Sequence, residues 1–169
     1  IKVKFEIVGV EHHLAHIASA YYLSPFDSLT AGLSYDGSGD FASMMVARCE
    51  GNRIEALGRV MLPDSLGFFY TALCQFIGFD EYGEEYKVMG LASYGEDRYR
   101  DEMAKLVKLK ENDWYCLGNG YFGMHEGGAS GDMDARGRVI MGRQYTEKLK
   151  RLLGESRQRR DPLTRREKD

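Results

Sequence analysis

Hydrophobic and polar positions alternate at the start of the chain. Val3, Phe5, Ile7 and the Val8 to Val10 stretch lead into Glu11 with the period of two that predicts a strand. The period then lengthens: Leu14, Ile17, Ala18 and Tyr21 recur at helical spacing, predicting a helix from His12 through Tyr22 that ends at Ser24-Pro25. Leu29 to Tyr35 and Phe41 to Cys49 return to a strand pattern around a glycine-containing turn. A third strand, Arg53 to Leu62, follows across Gly51-Asn52, a two-residue hairpin turn. After Pro63 the period is 3.6 again, with Leu66, Phe69, Tyr70, Leu73, Phe76 and Ile77 on one face of a helix capped by Asp64 or Ser65 and closed by Gly78. Phe68, Phe69, Tyr70, Phe76 and Phe79 follow that face and read as core, not as an aromatic platform. Further helices are expected over Tyr86 to Ala92, over about Arg98 to Lys110, and over Gln144 to Leu153, where Gly154 stops the last.

These elements group into a strand-helix-hairpin core over residues 1–63, a helical insertion over 64–110, and an accessory loop region with a short helix over 111–169. The order is that of an α/β fold. The tail beyond Gly154 is too polar to be expected to bury itself.

Composition narrows the field of functions. A formal net charge of -3 supplies no basic field for a phosphate backbone, so nucleic acid is not the expected partner. Neither a membrane-length apolar run nor a signal peptide is visible, and the three cysteines, Cys49, Cys74 and Cys116, form no regular framework. Reduced, packed thiols and a cytoplasmic setting are the expectation, with no membrane partner. The chain opens on Ile1 and stops within a charged stretch, and both ends read as cut.

Chemistry concentrates in two short stretches. His12 and His16 stand four apart on one helix face, so two imidazoles can meet one ion; an isolated pair of this kind is also often merely solvated or hydrogen-bonded. His13 points elsewhere and suits packing or support of a neighbouring ligand. The glutamate of a zinc-protease helix is not in its required place, which removes that reading. The second stretch, Tyr35-Asp36-Gly37-Ser38-Gly39-Asp40, is an acidic, glycine-containing turn. Asp36 at a strand end can ligate or orient a metal, while Gly37, Ser38 and Gly39 offer backbone amides to a phosphate; a plain tight hairpin is the competing reading. Lys87 offers a point charge to phosphate, and Gly90 and Gly95 allow close backbone approach, although a lysine beside Glu84 and Glu85 equally suits an ion pair. The arginines from Arg157 to Arg166 read as a solvated run, and the Gly123 to Asp132 stretch around His125 as a connection.

Several ordered strings make the pattern specific. His12-His13-Leu14-Ala15-His16-Ile17-Ala18-Ser19-Ala20-Tyr21-Tyr22 with Ser24-Pro25-Phe26, then Tyr35-Asp36-Gly37, Ser65-Leu66-Gly67-Phe68-Phe69-Tyr70-Thr71-Ala72, Gly78-Phe79, Glu85 through Gly95 and Asp161-Pro162-Leu163-Thr164 together resemble the NodU/CmcH-type O-carbamoyltransferase family. The resemblance runs over nearly the whole chain. It implies part of an actin-like, ribonuclease H-like ATPase fold with a mixed sheet, a hairpin and a helical insertion, and relation to the enzymes that make threonylcarbamoyladenosine on tRNA and to the hydrogenase-maturation carbamoyltransferase. It further implies a divalent metal, often iron, held by His12 and His16 with Asp36 as third protein ligand. A further family aspartate and the nucleotide-binding half would lie in flanking segments outside this sequence.

The implied reaction uses carbamoyl phosphate and ATP, through a carbamoyl-adenylate, to carbamoylate a hydroxyl of a small sugar or antibiotic-type acceptor. No catalytic base is identified. A metal- or nucleotide-binding module without transfer activity, or a tRNA-modifying relative, are the competing classes; the Ser65 to Tyr70 and Tyr86 to Ala92 strings favour the carbamoyltransferase.

Overall fold

Helix α1 (His12–Tyr21) and strands β1 (Thr30–Gly39), β2 (Ala42–Glu50) and β3 (Arg53–Met61) build the first of two units in the chain, which meet in sequence at Leu62 and Pro63. The computed structural model describes residues 4–111, 114–127 and 131–169. The three strands form an antiparallel meander in the order β1-β2-β3. Gly51, at a φ of 58°, turns the β2–β3 hairpin as its sequence predicts. Helix α1 covers one face of the sheet: Ile17 and Tyr21 pack against Met45, Ala47 and Cys49, all buried. The buried ring of His13 fastens this layer, lying 2.9 Å from Ser34 Oγ and 3.0 Å from the Ala42 carbonyl. A carbonyl only accepts, so His13 Nε2 carries a proton, and in the neutral ring the Ser34 hydroxyl donates to Nδ1.

Two expectations for this unit change. Residues 4–10 form no strand, and Phe5, Ile7, Val8 and Val10 are exposed; Val3 lies outside the described residues. Alternation supplies a face but not a ladder partner, and none is offered to this segment among the described residues. The expected mixed sheet is likewise absent among them, since every pairing is antiparallel. A strand before α1 is what would have paired parallel through a strand-helix-strand crossover.

The second unit is organised by α2 (Leu66–Phe76). Ser65 caps it by accepting from the Phe68 N–H at 3.1 Å. Gly78, at a φ of 83°, ends it: its N–H donates to the Gln75 carbonyl and that of Phe79 to the Cys74 carbonyl. Ala72 and Phe76 join Leu106, Leu117, Phe122 and Leu149 in one core, with Leu66, Phe69, Leu73 and Ile77 packed around them, so the predicted apolar stripe is a core face except at Tyr70, whose hydroxyl donates to the Glu85 carbonyl; Phe68 and Phe79 also stand outside this cluster. Helix α3 (Glu85–Ala92) lies where its string predicts. The next helix, α4 (Arg100–Leu106), stops four residues early because Val107-Lys108-Leu109-Lys110 alternates and finds a partner: β4 (Val107–Lys110) pairs with β5 (Trp114–Leu117). A short hairpin, β6 (Gly131–Met133) with β7 (Val139–Met141), precedes α5 (Glu147–Leu153), which begins three residues later than predicted, at the Thr146 cap. Of the Gly123 to Asp132 connection, residues 128–130 lie outside the described ones.

The tail is not the free polar run its composition suggests. Arg157 donates to the carbonyls at the end of α2, from its N–H to Phe76 and from its guanidinium to Ile77. Arg159 pairs with Glu84 and Asp80, and Glu167 and Asp169 are buried at their side chains. Opposite charges and helix carbonyls do here what apolar area would do elsewhere. Gly95 does permit close approach, of the Lys168 carbonyl in this tail, whereas nothing crowds Gly90. Among the described residues the architecture is mixed α/β, with five α-helices and three small antiparallel sheets, and no helix is long and apolar enough to cross a membrane.

Candidate metal centre

The sequence places His12 and His16 one turn apart on α1, and the fold brings the end of β1 beneath them. Tyr35 pairs with Met44 and Gly39 with Ala42, so Asp36, Gly37 and Ser38 stand opposite Ser43 alone. The acidic, glycine-containing stretch expected as a turn is therefore a bulged strand end, and the turn proper is Asp40-Phe41. A bulge breaks the alternation of the strand and re-aims its side chains. Here it carries Asp36 to the histidines.

His12 Nε2 lies 2.6 Å from Asp36 Oδ2, His16 Nε2 lies 3.3 Å from the same oxygen, and the two imidazole nitrogens are 3.0 Å apart. Their side chains are 37%, 51% and 38% exposed for His12, His16 and Asp36, which leaves one side of the triangle open to solvent. Partial burial pushes the Asp36 carboxyl up, but hydrogen bonds from His12, the Gly37 N–H and His16 outweigh it and hold the carboxyl below its usual range. Three acceptor-capable atoms thus face one another, and hydrogen bonding alone satisfies them only by sharing protons among the imidazoles. Ligands at about 2.0–2.2 Å from one ion lie roughly 2.8–3.5 Å apart for octahedral to tetrahedral angles. Two edges of the triangle fall in that span; the third, at 2.6 Å, has the length of a charge-assisted hydrogen bond. Two imidazoles and a carboxylate suit a borderline divalent cation such as iron, zinc or manganese. Among the described residues these three form the group of histidine, cysteine and acidic side chains able to share an ion.

Residues that the sequence did not single out for the purpose hold α1 in place. Glu11, before the helix, makes no capping hydrogen bond; Asp40 Oδ2 instead accepts from the His12 N–H at 2.8 Å, placing a carboxylate at the helix start where the dipole favours it. Glu11 reaches the Arg59 guanidinium on β3 with both oxygens, each at 2.7 Å, and that pairing holds its carboxyl below the usual range. Gly37 donates its N–H to Asp36 Oδ1 at 2.6 Å, and Gly39 is buried against the His12 ring. Both glycines serve the histidine site directly. Lys87 belongs to the second unit, where Glu84 accepts from its ammonium at 2.6 Å, the ion pair its neighbours in sequence suggest.

Comparison with known proteins agrees with the motifs. Residues 1–129 match the family model described as Carbamoyltransferase N-terminus. The chain is 35% identical over 161 residues to the Synechocystis protein sll1178, an alignment covering 94% of this chain and 24% of that protein. It is 38% identical over 109 residues to Nodulation protein NolNO of Sinorhizobium fredii, covering 64% and 16%, and 37% identical over 107 residues to Nodulation protein NolO of Bradyrhizobium diazoefficiens, covering 63% and 19%. The chain belongs to the carbamoyltransferase amino-terminal family. It spans a quarter or less of the length of these relatives.

Proposed function

We propose that this chain is the metal-holding part of a carbamoyltransferase that moves a carbamoyl group from carbamoyl phosphate, through an ATP-derived carbamoyl-adenylate, to a hydroxyl of a small sugar or antibiotic-type molecule. The observation that carries the reading is the convergence of His12, His16 and Asp36 inside the segment that matches the family. The reaction is proposed for a protein of the relatives' length that carries this segment, within an actin-like ATPase fold completed by flanking domains. The three side chains would hold a divalent metal, iron being the family's usual choice, and such an ion supplies positive charge that polarises a carbamoyl or phosphoryl oxygen. The residues of this chain bind and orient. Asp36, steadied by Gly37, and the two imidazoles keep three donors fixed on one side, while the exposed side leaves room for donor and acceptor. In this reading the Gly37-Ser38-Gly39 backbone is a candidate for phosphate within the first unit, at Ser38 above all since the Gly37 N–H already serves Asp36, and Lys87 is a separate candidate within the second.

Two measurements test this. Titrating ferrous, zinc and manganous ions into the 169-residue chain should give one bound ion per chain, lost in His12→Ala and in Asp36→Asn. In a protein of the relatives' length carrying this segment, carbamoyl phosphate, ATP and a hydroxyl acceptor should give transfer that His12→Ala abolishes. Full transfer by the His12→Ala protein would remove the histidine pair from the reaction.

A further inference from the structure

Gly39 is the last residue of β1, buried beneath the imidazole of His12. A methyl group built on its α-carbon would lie 2.6 Å from His12 Nε2 and closer still to the ring carbons Cγ and Cδ2, so any side chain at this position takes the place of the ring. The glycine is not there for its backbone, since its φ lies outside the left-handed region that favours glycine. Nor does it belong to the apolar cluster of its unit. The residue that has to yield to a side chain at 39 is His12, whose side chain is 37% exposed and can rotate about χ1 towards solvent. Its backbone cannot follow easily. The His12 N–H is held by Asp40, and the next residue, His13, is buried and held by Ser34 and Ala42.

We propose that Gly39 is a positioning residue of the metal centre: the missing side chain keeps open the slot in which the His12 imidazole meets Asp36 and His16. The proposal rests on the metal reading above and adds the device that sets the direction of one ligand. A side chain at 39 leaves the Gly39–Ala42 pairing and the sheet register intact, since an ordinary residue adopts this backbone. It turns the His12 ring out and leaves His16 and Asp36 as a two-donor remnant.

Gly39→Ala separates this role from a merely structural one, with Gly90→Ala, where nothing crowds the added methyl, as control. In the metal-free chain, long-range proton–nitrogen correlations of the imidazoles report whether His12 Nε2 keeps its Asp36 partner. The expected result is that Gly39→Ala moves the His12 nitrogens to solvent-exposed values and leaves those of His13 unchanged, with unaltered circular dichroism. Zinc titration should then show binding weakened by at least about 10–100-fold, the usual cost of disturbing what orients a ligating histidine, and approaching the loss expected of His12→Ala, while Gly90→Ala binds as the parent does. Wild-type His12 shifts together with undiminished zinc affinity in Gly39→Ala would overturn the proposal. If the parent binds no ion yet its His12 resonances respond as described, the metal reading fails and the positioning role stands. Loss of the His13 signature with that of His12 would show that Gly39 is needed for the fold instead.

Discussion

Phe41 holds a φ of 64° beside Asp40 at 51°, so the two central residues of the β1–β2 turn are both left-handed and neither is glycine. That geometry matches the twist of the flanking strands, and Asn-Gly is its usual sequence. Asp40 tolerates it and uses it, because the turn delivers its carboxylate to the His12 N–H. Phe41 gains nothing comparable from its ring, which is 77% exposed. A non-glycine residue in this region costs roughly 1–2 kcal/mol, less for asparagine. Phe41→Asn is therefore expected to stabilise the chain by about 0.5–1 kcal/mol, read as a higher urea midpoint at unchanged slope. A lower midpoint would mean that the phenyl ring makes a contact worth more than the strain. None of this is legible at the level of single residues. Nothing in a Gly-Asp-Phe string announces a mirror-image turn, and the partner that explains Asp40 lies 28 positions away.

The elements that the sequence made legible are those whose pattern and partners coincide. Helix α1, the three-strand meander and α2 follow their hydrophobic periods because each period meets a complementary face nearby. Where a pattern lacked its partner, or acquired one, the reading failed: residues 4–10 alternate without a ladder, and Val107 to Lys110 leave a helix for a strand. That His12 and His16 share a helix face was legible from their spacing, whereas Asp36 as the partner they meet came with the family resemblance. The clamps of α1 were not legible, since Glu11 finds Arg59 across 48 residues. The tail shows the same limit, for Arg157 and Arg159 read as solvent-facing until the end of α2 presents carbonyls and the connection to α3 presents carboxylates to them. That docking is testable through Glu84, whose side chain is 6% exposed. Arg159, against burial and with help from Lys87, pulls the Glu84 carboxyl from 4.5 down to about 2. A depressed carboxylate stabilises the fold above its unfolded value and loses that contribution as pH falls towards the folded one. Because both cationic partners are 40% exposed, solvent screening limits the effect to roughly 1–2 kcal/mol. Wild type should thus exceed Glu84→Gln in urea stability by that amount at pH 7, and the difference should shrink between pH 4.5 and pH 2. A gap that persists at pH 2 would assign the effect to packing. The same variant should speed hydrogen exchange at the Arg157 amide.

For the whole molecule, the division at Leu62 matters more than any single contact, because all three donors of the candidate centre and all of their supports lie before it. Binding an ion and transferring a group are then separable properties. The 169-residue chain is expected to bind a divalent ion while transferring no carbamoyl group from carbamoyl phosphate and ATP, since alignment of donor and acceptor can supply about 7–11 kcal/mol of a barrier and the chain covers at most 24% of its relatives. Measurable turnover by the chain alone would show that the site is more complete than this. The compact spacing of the donors also bears on when the centre forms. His12 and Asp36 are 24 residues apart and Glu11 and Arg59 are 48 apart, so every one of these contacts closes within the first unit and needs no residue beyond Leu62. Chains emerge from the ribosome amino terminus first. A nascent chain halted just after Leu62 has cleared the exit tunnel should already shield His12 from diethyl pyrocarbonate when zinc is present. Shielding that waits for the rest of the chain would end that idea; shielding at once would mean that the ion can be loaded during synthesis, before the second unit has left the ribosome.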